Sequence, residues 1–474
     1  MPRNADRCTL RFSKCCAFRI ILVLLLILTR ATFFTGPTWK VRTIHRTQSN
    51  ATSTLGFSNF SFALCRGDSQ DPRLWESRTC HFKNVCWDLR ESTLVYFHDP
   101  AHQPPHFTSE NAPFFGKNIE QTLLLRRVEA GRDYALPFRW TTEPFPRENG
   151  TIVYHPVNIA ILLVSFWAEN FGHAILDDIM PAFILLRLFG LDRAPKSDVQ
   201  LLTPNALVEA VKHPTERRRA EQFISTFTPV VSDHEPTSIQ DMKLNPNANL
   251  LCFKHMLAGH GSLGLQFDRG RNIDAFASRT IATMLTNANP SQQKRIESVP
   301  SRHKMCFLEK GENARRRVLN RDELVQGWRR EFTKTHDVVV IEPNQLGNDH
   351  AEHVATAHEC TVIITPWGGV SFFALFARKD TTVIFLSYWD MNLNKAVNFE
   401  VEALWRYQRR IMPLQYHVSK DEVELMEEFP DTIHQDDLFR RYMDWHSLRL
   451  NETRINYVVD VAIKNSLHLI PIKG

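Results

Sequence analysis

A histidine and an aspartate follow an apolar run and have the spacing of a catalytic pair. The run Ile159 to Val164 is followed by the polar segment Asn170 to Pro181, which contains His173 and Asp177. If a helix begins after Gly172, the two side chains lie on one face, where the carboxylate can orient the imidazole. An oriented imidazole is a general base that works near neutral pH. A capping and salt-bridging pair at a helix start has the same spacing, so both interpretations stay open.

A second group of residues has the chemistry of an anion site. After the apolar run Met305 to Leu308 the chain contains Lys310, then Arg316 and Arg317, and then Asn320 before a predicted helix. Guanidinium groups match phosphate oxygens in pairs, so arginines clustered at a strand end indicate a phosphate or diphosphate site. An exposed basic turn has the same composition, and without further context that alternative is favoured.

A glycine pair follows another strand-like run, Val362 to Ile364. Gly368, Gly369, Val370 and Ser371 stand between this run and a predicted helix. Glycines at such a place let backbone N–H groups approach an anion closely. A plain tight turn is the alternative.

The rhythm of the chain predicts how these residues are positioned. From Thr151 onward, apolar runs of strand length alternate with longer amphipathic stretches, which is typical of an α/β fold with parallel sheets. Ligands bind beyond the carboxyl ends of such strands, where His173 and the glycine pair both fall. The sequence therefore predicts two α/β halves that face a cleft.

The length of 474 residues fits about two to three folded units. The net charge of +5 is mild and the basic residues are scattered, which gives a nucleic-acid role little support. The predicted regions are a cytosolic tail and anchor (1–30), a flexible stem (31–60), an irregular Cys- and Pro-containing region (61–150), an N-terminal α/β half (151–300) and a C-terminal α/β half with a helical tail (301–474).

The N-terminus predicts a membrane anchor. Ile20 to Leu28 is an unbroken apolar run that several basic residues precede, and no small-residue cleavage pattern follows it. The chain has four glycosylation sequons, at Asn50, Asn59, Asn149 and Asn451. We therefore expect a single-pass type II protein of the endoplasmic reticulum or Golgi membrane, with the main part of the chain luminal.

Six cysteines follow the anchor, an even number that fits disulfides. We expect at least one bridge within the cluster Cys65, Cys80 and Cys86. No metal site is predicted, because the helical pair His350 and His353 lacks a carboxylate partner.

These segments together resemble glycosyltransferase family 61, whose members include protein O-mannose and EGF-domain N-acetylglucosaminyltransferases and plant xylan xylosyltransferases. The resemblance covers roughly Ile159 to Leu386. Its Phe-Gly-His, Asp and Pro pattern, its Arg-Arg-apolar-x-Asn element and, in part, its glycine loop are matched by Phe171, Gly172, His173, Asp177, Pro181, Arg316, Arg317, Val318, Asn320, Gly368, Gly369 and Val370. Trp367 stands where the family's loop has a histidine, and Lys310 where an arginine is often found.

The resemblance implies a GT-B-like fold of two Rossmann-like halves. It also implies inverting transfer of N-acetylglucosamine or xylose from a uridine diphosphate (UDP) sugar to a hydroxyl of a glycan or glycoprotein, with no cofactor required. The catalytic histidine and the acceptor side belong to the N-terminal half, and the nucleotide sugar to the C-terminal half. His173 would take the acceptor proton, Asp177 would fix its tautomer, and Asp178 is a substitute base. The basic residues, Asn320 and the loop from Gly368 to Ser371 would bind the donor diphosphate.

Two alternatives remain at this point. A luminal hydrolase would use His173 with Asp177 or Asp178 as metal ligands and would lose activity on chelation. A catalytically inactive, membrane-anchored carbohydrate-binding protein would keep the fold and bind a sugar without turnover.

Overall fold

The computed structural model describes residues 59–66, 79–102, 121–126, 134–163, 171–204, 214–242, 244–259, 269–299, 301–310, 315–342, 349–426, 442 and 445–469. All of them belong to one compact structural unit, Ser58–Gly474. The predicted anchor, most of the stem and Asn50 lie outside the described residues. None of the helices that are described is long and apolar enough to cross a membrane.

Ten strands form the first sheet, in the order β4-β5-β3-β2-β10-β7-β8-β9, with β1 beside β2 and β6 beside β10. Their bounds are β1 Phe62–Arg66, β2 Thr79–Asp88, β3 Thr93–Phe97, β4 Gln121–Arg126, β5 Tyr134–Thr141, β6 Ile152–Tyr154, β7 Ile159–Leu162, β8 Val199–Thr203, β9 Thr237–Ser238 and β10 Leu250–Gly259. The pairs from β10 through β7 and β8 to β9 are parallel, whereas β2 is antiparallel to both β10 and β3.

The parallel strand β7 is apolar and buried throughout, because both faces of the sheet are covered at this strand. In β7, Ile159 and Ile161 face one hydrophobic core, while Ala160 and Leu162 face another. This alternation is the period of two that a strand imposes on its side chains. Because residues on both faces of β7 are buried, the apolar run that begins at Ile159 is continuous in the sequence.

Five parallel strands form the second sheet, in the order β12-β11-β13-β14-β17. Their bounds are β11 His303–Leu308, β12 His336–Ile341, β13 Val362–Pro366, β14 Thr382–Leu386 and β17 Met412–Tyr416. Counted along the chain this order is 2-1-3-4-5, which is that of a doubly wound sheet. The strand order reverses between β11 and β13, and ligands of such sheets bind at this reversal. The molecule is therefore a mixed α/β protein.

Two small hairpins and the helices complete the fold. The hairpins pair β15 Tyr388–Asp390 with β16 Lys395–Val397, and β18 Val423–Leu425 with β19 His446–Leu448. The helices are α1 Phe171–His173, α2 Met180–Leu188, α3 Pro214–Phe227, α4 Arg269–Met284, α5 Pro290–Glu297, α6 Arg321–Glu331, α7 His350–Glu359, α8 Phe399–Ala403 and α9 Glu452–Ser466. A π-helical turn, Ala174–Ile179, joins α1 to α2, and a 3₁₀ helix, Gly369–Phe376, follows β13.

The two sheets share one core. Leu201 of the first sheet and Ile363 of the second belong to the same cluster of buried side chains, together with Phe276 of α4 and Phe373 of the 3₁₀ helix. The elements that carry the predicted site residues are thus packed against a common interior.

One sequence prediction about the organisation is wrong. The described residues of the region 61–150 are not irregular, since β2 and β3 continue the first sheet beside β10. Its Pro and Cys content obscured the pattern, although Thr79–Asp88 is buried along most of its length. The polar stretch from Asn287 to Arg302 contains α5, which begins with a capping box between Asn289 and Gln292.

The six cysteines form three disulfides: Cys65–Cys80, Cys86–Cys252 and Cys306–Cys360. The first confirms the bridge expected within the N-terminal cluster. The second joins β2 to β10, which are neighbours in the sheet, and the third joins β11 to Cys360, the residue that follows α7.

Candidate active site

The predicted histidine–aspartate pair is formed. His173 Nδ1 lies 2.6 Å from Asp177 Oδ2, across the start of the π-helical turn. The two side chains are 35% and 26% exposed, so the pair is reachable from solvent. A carboxylate at Nδ1 accepts the proton of that nitrogen and leaves Nε2 as the basic nitrogen of the neutral ring. The geometry is that of an oriented general base.

Asp178 does not share this position. Its residue is 1% exposed, and it lies on the buried side of the π-helical turn. A carboxylate without access to solvent is a poor candidate to receive a proton from an acceptor. Asp177 is therefore the carboxylate of the pair, and the alternative role given to Asp178 finds no support in the geometry.

Gly172 brings this helix start against the second sheet's glycine loop. A Cβ atom at Gly172 would lie 2.9 Å from Gly369 Cα and about as close to the ring of Phe372, at 3.0 Å. Real Cβ atoms essentially never make a contact as short as 2.9 Å to a backbone atom, so the close approach requires glycine. The Gly before His173 thus positions the histidine beside the loop after β13.

The basic residues and the glycine loop meet where the strand order reverses. Lys310, just after β11, donates through Nζ to the carbonyl oxygen of Trp367, just after β13, at 2.8 Å. The Arg316 guanidinium lies 4.3 Å from the centre of the Trp367 ring, a cation–π contact. Two sequence motifs separated by more than fifty residues therefore form one cationic cluster at the position where doubly wound sheets bind ligands.

The backbone of Gly368 is fitted to these cations. Its φ is +101°, in the region that glycine favours, and a Cβ atom there would lie 2.6 Å from Arg316 Nη1 and 3.0 Å from Lys310 Nζ. Glycine is required both for the backbone conformation and for the space that the two cationic groups occupy.

Part of the glycine loop is bonded within the protein. The Gly368 N–H donates to Glu400 Oε1 at 3.0 Å, and the Ser371 hydroxyl donates to Glu400 Oε2. The Ser371 N–H donates to the Gly368 carbonyl at 2.8 Å. Two of the N–H groups that were expected to face a diphosphate thus have protein acceptors in this structure.

Sequence reasoning missed Glu400. Glu400 lies in α8 and is 2% exposed. Its carboxylate faces the cations Lys310 and Arg316 as well as the glycine loop. Burial raises the pKa of Glu400 to about 7, although the Ser371 hydrogen bond and the two cations act in the opposite direction. Its sequence surroundings gave no signal, since a Glu in a short amphipathic helix is common.

Asn320 has a different place from the one predicted. Its side chain donates to the Leu450 carbonyl at 2.9 Å and accepts from the Leu450 N–H at 3.0 Å. Both polar atoms of the amide are thereby engaged with the backbone that precedes α9. The structure gives Asn320 the role of fastening the C-terminal segment beneath the basic loop, instead of the predicted contact with a donor.

The C-terminal strand β19 holds the basic loop from below. The Arg316 N–H donates to the His446 carbonyl at 2.6 Å, and the Leu448 N–H donates to the Arg317 carbonyl at 2.8 Å. The His446 side chain is fully buried. Burial, and then the charges of Arg316 and Lys310, lower the pKa of His446 to about 3, so the ring is neutral. His446 was also missed, because nothing in its local sequence connects it to a loop 130 residues earlier.

In the described part of the chain, no group of three or more His, Cys, Asp or Glu side chains is placed to bind a metal ion. His350 and His353 pack edge to face, 5.3 Å between ring centres, and His353 is mostly buried. Burial lowers the pKa of His350.

The described sequons differ in their surroundings. Asn59 and Asn149 are exposed, and Asn149 accepts hydrogen bonds from the Thr151 N–H and hydroxyl, both at 2.9 Å. Asn451 is exposed as well and caps α9 by accepting from the Arg454 N–H at 3.0 Å.

Comparison with known proteins agrees with the geometry. No curated protein matches the chain. The model of the family described as Glycosyltransferase 61 matches residues 171–384. This range begins at the first residue of α1, ends within β14, and contains the histidine–aspartate pair, the basic loop and the glycine loop. This match supports membership of the chain in glycosyltransferase family 61.

Proposed function

We propose that this glycosyltransferase is inverting and moves a sugar from a UDP-sugar to a hydroxyl of a glycan or glycoprotein. The observation that supports the proposal is the close approach of the cationic cluster to the helix start that carries His173. The cationic cluster of Lys310 and Arg316 lies on the loop of Trp367 and Gly368, and Gly369 of the same loop touches the residue before His173.

The cationic cluster supports a diphosphate donor. Two cationic side chains at the strand-order reversal of a parallel sheet supply the charge that a diphosphate needs. The second sheet would hold the nucleotide and the first would carry the base, which is the division of labour of a GT-B-like protein with two Rossmann-like halves facing a cleft.

The reaction would be a single displacement. His173 Nε2 takes the proton of the acceptor hydroxyl while that oxygen attacks the anomeric carbon from the face opposite the leaving group. The bond from the anomeric carbon to the diphosphate oxygen breaks, and UDP leaves with the electron pair. The Asp177 carboxylate, 2.6 Å from Nδ1, stabilises the imidazolium that forms.

The leaving group would be stabilised by the protein's own cations. Lys310, Arg316 and Arg317 would offset the charge that grows on the departing diphosphate. We therefore propose that no metal cofactor is required. N-acetylglucosamine and xylose are the sugars we propose, on the resemblance to family members that transfer them.

We propose that the protein works in the lumen of the endoplasmic reticulum or Golgi as a single-pass type II membrane protein. The three disulfides support an oxidising compartment. The exposed sequon asparagines Asn59, Asn149 and Asn451 support entry into the secretory pathway.

The test uses the luminal part from Asn59 onward, which contains the whole described structure. It is incubated with a panel of UDP-sugars and acceptor glycans, with and without chelator, and release of UDP is measured for the native chain and for His173→Ala. We expect one donor to give release that resists chelation and is lost in the variant. Loss of release on chelation would contradict the metal-independent mechanism. Donor binding without release, with every acceptor, would indicate a carbohydrate-binding protein instead.

A further inference from the structure

The carboxylate of Glu400 occupies the interior of the cationic cluster. It accepts from the Gly368 N–H at 3.0 Å and from the Ser371 hydroxyl, and it is 2% exposed. Lys310 and Arg316 are the charged groups in the described residues that act on it. Glu400 is therefore an anion that these two cations face within the described part of the chain.

A bound diphosphate would compete with Glu400 for the same cations. A diphosphate on Lys310 and Arg316 adds negative charge beside a buried carboxylate, and two like charges at close range in a poorly solvated site are unfavourable. The carboxylate can avoid this repulsion by binding a proton. The neutral acid still has a carbonyl oxygen to accept from Gly368 N–H, and the Ser371 hydroxyl can rotate to accept from the new O–H.

We propose that Glu400 is a positioning residue of the donor site and that its carboxylate takes up one proton from solvent when a diphosphate binds to Lys310 and Arg316. This inference rests on the proposed function, because it takes a diphosphate as the ligand of the cluster. Glu400 acts on the ligand through the loop and the two cations. Affinity for the donor and for the product UDP then decreases as the pH rises above neutrality.

The pKa of Glu400 in the ligand-free protein sets the pH range over which the affinity for a diphosphate changes. Burial raises the pKa of Glu400 to about 7, so the proton is already present below pH 6 and must be taken up above pH 7. His446 faces the same two cations, but its pKa of about 3 keeps it neutral throughout this range. If binding raises the pKa of Glu400 by one unit or more, linkage predicts a roughly five- to tenfold loss of affinity between pH 6 and pH 8.

Glu400→Gln separates charge from shape. The amide oxygen can accept from Gly368 N–H and the amide nitrogen can donate to the Ser371 hydroxyl, so the loop geometry is kept while the titration is removed. Glu402→Gln is the matched control, because Glu402 lies on the same helix and is exposed to solvent.

The experiment is calorimetric titration of the luminal part with UDP at pH 6, 7 and 8. At pH 7.5 it is repeated in two buffers of different ionisation enthalpy, which counts the protons taken up. We expect the native chain and Glu402→Gln to lose affinity by roughly five- to tenfold with proton uptake, and Glu400→Gln to bind at pH 8 that much more tightly than native. The terminal phosphate of UDP titrates near pH 6 and contributes equally to all three proteins.

The outcomes separate this inference from the proposed function. If native protein binds UDP with the same pH dependence as Glu400→Gln, or without proton uptake at pH 7.5, the inference is overturned and the donor site stands. If native protein binds no UDP at any pH, the donor site and the inference are both overturned. The proton count on the native chain decides the matter even if Glu400→Gln does not fold.

Discussion

Replacing Asp177 by Asn tests the central pair of the site. The change keeps the size of the side chain and removes its charge, and the amide can present an N–H to His173 where the carboxylate accepted one. The ring would then turn its other tautomer toward the acceptor, with the proton on the nitrogen that should be basic.

The size of the effect follows from the 2.6 Å contact. A charge-assisted hydrogen bond of this kind contributes about 1.5–3 kcal/mol, and each 1.4 kcal/mol is a factor of ten in rate. Asp177 stabilises the imidazolium, which forms only as the proton is transferred. We therefore expect kcat to fall roughly 10- to 150-fold with little change in KM for the donor, because the pair does not touch the diphosphate in our proposal.

The assay is UDP release under saturating donor and acceptor, with UDP affinity measured separately to show that the donor site is intact. Asp178→Asn is the comparison, since it removes a neighbouring carboxylate that is buried on the other side of the turn. We expect it to keep kcat within a few-fold of native once its thermal unfolding confirms that it is folded. A full rate in Asp177→Asn, or a larger loss in Asp178→Asn than in Asp177→Asn, would refute the assignment of the base.

Three other expectations can be measured on the same protein. Gly368→Ala should weaken UDP binding by at least roughly tenfold, because the added methyl group meets two cationic groups and the backbone φ is +101°. Gly327→Ala is the control: a methyl group at Gly327 meets no atom within 4 Å, so UDP binding in the same calorimetry should be unchanged. Between pH 7 and pH 5 the free energy of unfolding in urea should fall by about 2 kcal/mol for each of His336 and His446. Burial lowers their pKa values to about 4 and about 3, so the stability that the depressed pKa contributes above pH 6.5 is lost on acidification. An equal free energy of unfolding at both pH values would contradict this. Asn149→Gln should increase the gel mobility of chain secreted from a glycosylating host, and unchanged mobility would show that this sequon is unused.

The strands of the α/β part could be predicted from sequence to within a few residues. The predicted run Met305 to Leu308 lies within β11, His303–Leu308, and the run Val362 to Ile364 lies within β13, Val362–Pro366. These runs are apolar because both faces of each sheet are covered, and a continuous apolar run is visible without knowledge of its neighbours. The strands before Thr151 were missed because polar residues and cysteines interrupt their apolar pattern, as in Thr79–Asp88.

The pairing of His173 with Asp177 was also accessible from sequence, because a separation of four residues within a helical segment fixes which side chains meet. The π-helical turn that carries the pair was not expected, yet it kept the two side chains together.

The amino-acid sequence by itself determined the chemical groups, their local spacing and the strand ends to which they belong. Only the tertiary structure decided that Lys310 reaches the loop of Gly368, that Glu400 lies beneath that loop, and that Asn320 serves the C-terminal segment. The physical reason is the range of the interactions. Helical and strand periodicities act over a few residues, whereas the cationic cluster depends on the order of strands in a sheet, which brings together residues far apart in the chain.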